Sequence, residues 1–101
     1  MIKRYEVVLD AEAEAQLEDL FMYIAQDASI EVAERFTDAI VEQCEALSHF
    51  PNRGTPRDDI QPGLRTIAFR RAVTIAYAVD EDRVEVLGIF YRGRDYESLL
   101  N

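Results

Sequence analysis

Pro51-Asn52-Arg53-Gly54-Thr55-Pro56-Arg57-Asp58-Asp59-Ile60-Gln61-Pro62-Gly63 divides this chain into two unlike halves. The segment holds all three prolines and two of the four glycines of the sequence. Such a stretch neither continues a helix nor lies centrally in a sheet, so it reads as a structured loop crossing the surface. Before it, apolar residues repeat with the period of a helix; after it, they alternate as in strands. Helices and strands kept apart in this way indicate an α+β fold.

Upstream, Tyr5, Val7 and Leu9 alternate with Arg4, Glu6 and Val8, which predicts a first strand over about residues 2–9. Asp10 is placed to cap a helix, and Glu12 and Glu14 suit the positive end of its dipole. Ala13, Leu17, Leu20, Phe21, Ile24 and Ala28 then form one apolar stripe. Ser29 breaks that stripe and caps a second helix, with Val32, Phe36, Ile40, Cys44 and Leu47 on its buried face. Glu31, Glu34, Asp38, Glu42 and Glu45 stay outside, so the two helices form a hairpin with an acidic exterior that Pro51 ends.

Downstream, Leu64–Phe69, Ala72–Val79 and Arg83–Tyr91 read as strands, separated by Arg70-Arg71 and by Asp80-Glu81-Asp82. Connections this short predict an antiparallel meander. In its middle strand Val73, Ile75, Tyr77 and Val79 share one face, and Ala72, Thr74, Ala76 and Ala78 the other. Small residues on that second face leave a shallow bed for something bulky. The predicted order is β-α-α-β-β-β, with the helix hairpin covering one face of an antiparallel sheet. At 101 residues the chain is read as one domain, residues 1–101.

The formal net charge is −9, and it is unevenly spread. Residues 1–50 carry three bases and twelve acids, whereas residues 51–101 carry eight arginines against eight acids. An acidic chain opposes non-specific nucleic-acid binding. The single lysine, Lys3, leaves arginine as nearly the whole positive inventory, which favours planar recognition over acid–base work. No apolar run has the length of a membrane span or of a signal-peptide core. One cysteine, Cys44, permits no internal disulfide, so the reducing cytoplasm is the expected compartment.

Candidate chemistry is sparse. His49, the single histidine, sits at the end of the second helix, where a cation meets the negative end of the dipole. Cys44 on the apolar stripe reads as an inert buried thiol. The acidic runs follow no calcium-loop pattern, and no metal or cofactor is called for. What stands out is the end of the last strand, Ile89-Phe90-Tyr91-Arg92-Gly93-Arg94-Asp95-Tyr96. Guanidinium and phenol groups crowded on a strand end suit the gripping of an anion or the anchoring of an interface.

The order of these elements resembles the RelE/ParE superfamily of bacterial toxin–antitoxin toxins. Several stretches are similar to its ParE branch: Tyr5-Glu6-Val7-Val8-Leu9, Phe50-Pro51-Asn52-Arg53-Gly54 and Pro62-Gly63-Leu64-Arg65. Arg70-Arg71-Ala72-Val73-Thr74-Ile75-Ala76-Tyr77 and Phe90-Tyr91-Arg92-Gly93-Arg94-Asp95-Tyr96-Glu97 continue the likeness over nearly the whole chain. The resemblance implies a toxin that poisons DNA gyrase, serves plasmid stabilisation, and is neutralised by a ParD-like antitoxin. The antitoxin supplies the operator-binding part, so no sequence-specific DNA binding is implied for the toxin. On this reading Arg65, Arg71, Tyr91, Arg92, Arg94, Asp95 and Tyr96 contact the target. Leu20, Tyr23, Phe36, Ile40 and Tyr77 contact the antitoxin.

RelE-type relatives instead cut messenger RNA on the ribosome, which needs a proton acceptor for the attacking 2′-hydroxyl. Arg65, Arg71, Arg92 and Tyr91 supply charge and a donor, but the sheet segments hold no lysine or histidine. Arginine stays protonated, which leaves Glu85 as an isolated acid with no identified partner. A non-enzymatic gyrase poison is therefore the first reading, a ribosome-dependent ribonuclease the second, and a toxin that has lost its activity the third.

Overall fold

The computed structural model describes residues 3–91. Strand β1 (Glu6–Leu9) leads through Asp10 into helix α1 (Ala11–Asp27), and α2 (Ile30–Glu45) follows after two residues. A single 3₁₀ turn (Ala46–Ser48) ends the helical half. Strands β2 (Thr55–Pro56), β3 (Leu64–Phe69), β4 (Val73–Val79) and β5 (Arg83–Tyr91) complete the order. Ser29 caps α2 as its sequence requires, its Oγ accepting from Val32 N at 3.1 Å. Asp10 stands at the start of α1 without a side-chain capping bond.

The sheet has five strands in the order β1-β5-β4-β3-β2. β2, β3, β4 and β5 pair antiparallel in succession, whereas β1 pairs with β5 in parallel, so the sheet is mixed. The departure from a wholly antiparallel sheet comes from the Pro/Gly loop. It turns back as β2 before entering β3, which makes β3, and with it β5, run the same way as β1. Pro56 lacks an N–H, and an edge strand is where a sheet tolerates that.

The helix hairpin covers one face. Leu20 and Ile24 of α1 and Ile40 and Cys44 of α2 pack with Val73, Ile75, Tyr77, Val84, Val86 and Ile89 in one buried cluster. The buried face of α2 keeps Ile40 and Cys44 of the sequence stripe and departs from it only at the start of the helix. Ala33 and Thr37 turn inward, and Val32 is 43% exposed. Thr37 is accommodated because its hydroxyl donates to Ala33 O at 2.9 Å. Gln16 of α1 accepts from Ile89 N at 2.7 Å, tying the helix to β5 close to the bulge between Ala76 and Tyr77.

On the other face the bed of small residues is filled from within. Phe90 packs with Ala76 and Leu64, with Ile60 and Leu87 beside them. Gly88 makes this possible, because a Cβ there would lie 2.4 Å from the Phe90 ring.

Candidate functional site

Two groups of residues stand at opposite ends of β3 and β4. At one end, β4 brings Tyr77 beneath the Pro51–Gly54 turn. Its hydroxyl donates to Pro51 O at 2.8 Å and accepts from Gly54 N at 2.9 Å. Across the strand pair, Arg65 donates to Gly54 O at 2.7 Å and to Asn52 O at 3.1 Å. Tyr77 is fully buried, and that burial pushes its phenol above the usual tyrosine range. The Gly54 N–H and the cations Arg65 and Arg53 pull the other way. These contacts hold a loop in place, so Tyr77 has no surface to offer a partner and Arg65 is committed to backbone carbonyls.

At the other end, Tyr91 closes β5 against Val73 and lies under the helix hairpin. Its ring is 5.8 Å from Tyr23 of α1 and 6.4 Å from Phe36 of α2. Phe36 meets Phe69 edge-on at 5.5 Å, and the Arg70 guanidinium lies 4.8 Å from the Phe69 ring and 5.8 Å from Phe36. This is an aromatic cluster with a cation on its rim. Around the bend of the hairpin, Met22, Tyr23, Ile30 and Val32 are all more than 40% exposed, in a region where apolar side chains gain most by being covered.

The β3–β4 turn carries an unusual backbone. Arg70 and Arg71 have φ of 49° and 56°, and Ala72 N closes the turn on Phe69 O at 3.1 Å. Two positive φ values in succession suit Asn-Gly, and each costs an ordinary residue about 1 kcal/mol or more. Replacing Arg70 by asparagine and Arg71 by glycine is expected to stabilise the fold by about 1–2 kcal/mol, after allowing for the lost ring contacts. Urea unfolding of the two chains measures the difference.

The expected target residues therefore do not form one patch among the described residues. Arg65 lies near the start of β3 and Arg71 in the turn beyond its end, about 15 Å apart at the strand's rise per residue. Tyr91 is half-buried at the end of β5 beneath the helix hairpin, whereas Arg92, Arg94, Asp95 and Tyr96 lie outside the described residues. Of the expected antitoxin contacts, Leu20, Ile40 and Tyr77 are core residues at 5%, 0% and 0% exposure. A helical period marks which side chains share a face, and here that face turned toward the sheet. Tyr23 and Phe36 remain at the surface or its edge.

Ser48, adjacent to His49, is a residue that sequence spacing passes over. Its Oγ lies 3.0 Å from His49 Nδ1, but Ser48 is buried and His49 exposed. Ser48 O also accepts from Tyr5 N at 2.8 Å, so the pair belongs to the packing of the 3₁₀ turn on the chain leading into β1. Among the described residues no three His, Cys, Asp or Glu side chains cluster as metal ligands. No helix there is long and apolar enough to cross a membrane.

Residues 7–96 match the sequence pattern of the family described as the ParE toxin of the type II toxin–antitoxin system parDE. The chain belongs to the ParE toxin family. It is thus a toxin of a type II toxin–antitoxin system. Solved structures give the same fold. One is the chromosomal ParDE toxin–antitoxin system from P. aeruginosa, with 24% identity and a TM-score of 0.77 over 87% of this chain and 96% of that one. Another is the RelBE2 toxin–antitoxin complex from Mycobacterium tuberculosis, with 24% identity and a TM-score of 0.70 over 91% and 95%. No protein with a curated description matches the chain.

Proposed function

We propose that this ParE-family chain inhibits DNA gyrase in the bacterial cytoplasm and is held inactive by a ParD-like antitoxin. Membership of the ParE family carries the reading. The P. aeruginosa relative of the same fold comes from a ParDE system, which supports an antitoxin of the ParD type. The sheet adds a chemical argument. Strands β3–β5 offer no lysine or histidine and a single acid, Glu85, so a ribonuclease would depend on that one carboxylate as its proton acceptor, and the Arg65 cation is already tied to the Pro51–Gly54 turn. Inhibition through binding asks only for a recognition surface.

Purified chain without antitoxin is expected to inhibit gyrase supercoiling or trap cleaved DNA, and to leave ribosome-bound messages uncut. Message cleavage with normal supercoiling would establish the RelE-type reading instead. Arg92→Ala with Arg94→Ala is expected to raise the half-inhibitory concentration by about thirtyfold, the size of an arginine hot spot. Antitoxin affinity should change little. A folded double variant of undiminished potency would remove the arginine cluster from the target contact.

A further inference from the structure

Phe50 is the most exposed of the large apolar side chains among the described residues, at 66%. Met22, Tyr23, Ile30 and Val32 surround the bend of the hairpin, whereas Phe50 follows the far end of α2, a helix about 24 Å long. With His49, Asn52 and Arg53 it lines an open hollow of about 330 Å³, on the scale of small-molecule sites. The backbone beneath is fixed. Tyr77 and Arg65 make four hydrogen bonds to residues 51–54, and Arg53 N closes the turn on Phe50 O at 3.3 Å. A turn bolted in this way presents its side chains with no further cost of ordering the backbone. His49 Nδ1 lies 3.0 Å from Ser48 Oγ, which leaves Nε2 as the nitrogen available to a ligand. The local charge is also unlike the rest of the chain. No Asp or Glu lies between Glu45 and Asp58, although the sequence holds 20 acids. Arg57 is paired with Asp59 and Arg65 is tied to the turn, whereas Arg53 makes no ion pair among the described residues.

We propose that this hollow binds a nucleoside monophosphate. The base stacks on the exposed Phe50 ring, the phosphate lies between the Arg53 guanidinium and His49 Nε2, and the Asn52 amide pairs with an edge of the base. Stacking asks only for an open π-face, which every base supplies. The planar guanidinium meets two phosphate oxygens at once. An amide side chain sets a donor beside an acceptor, the pattern a base edge carries. An acidic peptide would engage the guanidinium but leave the flat ring without a matching plane. A nucleic-acid strand would bring further phosphates toward a body of net charge −9, which opposes it. The monophosphate keeps the stacked base and one anion and avoids that repulsion. Such binding requires neither gyrase nor an antitoxin.

Backbone amide shifts of the isotope-labelled chain, followed by NMR as adenosine monophosphate is added, read the site directly. Saturable shifts centred on residues 49–53 are expected, with a Kd on the order of a millimolar. Phe50→Ala and Arg53→Gln should each weaken binding about tenfold, the scale of losing a stacked base or a charge-assisted pair. Both side chains are exposed, so the unfolding midpoint of each variant should stay at that of the wild type. Arg35→Gln, an exposed arginine near the other end of α2, should leave the Kd within about twofold. Ribose phosphate and adenosine, each lacking one half of the ligand, should bind at least about tenfold more weakly than the nucleotide. Ribose phosphate binding as tightly as the nucleotide would reduce the hollow to an anion site and overturn the assignment. A short oligothymidylate binding far more tightly, with the gain lost in Phe50→Ala, would make the occupant a strand and overturn it too. No saturable shift up to about 20 mM nucleotide, or equal losses in Arg35→Gln and Arg53→Gln, would remove the site altogether.

Discussion

Gly54→Ala is expected to destabilise the chain by about 3 kcal/mol, the combined scale of overpacking and of breaking a buried hydrogen-bonded turn. A Cβ at this position would lie 2.5 Å from the Tyr77 hydroxyl, 2.9 Å from Thr66 O and 3.0 Å from the Tyr77 ring. Glycine is required here for space and not for conformation, since Gly63 is the described glycine with positive φ. The methyl group and the hydroxyl compete for one place. Moving the phenol aside would abandon its bonds to Pro51 O and Gly54 N and slacken the turn that Arg65 also holds.

For a chain of this size the loss corresponds to a fall in Tm of roughly 12–24 °C. Tyr77→Phe alone is expected to cost about 2 kcal/mol, because it leaves both backbone groups without their partner. The combination with Gly54→Ala should then fall short of the sum by at least about 1 kcal/mol, as the absent oxygen makes room for the methyl. Additive losses in urea unfolding would mean that the two positions do not share the space.

This clamp shows where the sequence was legible and where it was not. Local patterns identified what local forces build: β3 and β5 begin and end where alternation and turn residues place them, and Ser29 caps α2. The bed of small residues on β4 was also readable, because alternation alone assigns Ala76 and Ala78 to one face. Tertiary choices were not. Which edge β1 joins, and in which direction, is a matter of its parallel pairing with residues 83–86, far along the chain, which no local period reveals. Tyr77 and Arg65 carry the chemistry of recognition residues, yet both are spent on the backbone of residues 51–54, some 11 to 26 positions away. Only Gly54 hinted at that close approach. Likewise, at the start of α2 Ala33 and Thr37 take the buried face and leave Val32 exposed, while Ile40 and Cys44 keep the stripe. Helical periodicity fixes the width of a buried stripe better than its edges.

Raising the pH is expected to unfold this chain through a thiol that takes no part in recognition. Cys44 is fully enclosed by the helix hairpin and the sheet, and burial, helped by the neighbouring Glu45, pushes it from 9.0 to about 12. The folded chain therefore holds this proton more tightly than the unfolded one. The associated stability is complete below pH 9 and is lost progressively as the pH rises from 9 to about 12. Each unit in that window removes about 1.4 kcal/mol, so that roughly 2–3 kcal/mol is gone by pH 11. Tyr77, also raised by burial, acts in the same direction above pH 10. Carboxylates do not mask the effect, since they are ionised throughout this range. Urea unfolding at pH 7, 9, 10 and 11 should show a steep decline for the wild type and a shallower one for Cys44→Ala. The variant starts lower at pH 7, because it leaves a small cavity among Ile40, Leu47 and their neighbours. The two curves should therefore converge as the pH rises. Parallel curves would show that Cys44 is not the group that titrates, and would leave the buried phenol of Tyr77 to account for the alkaline loss.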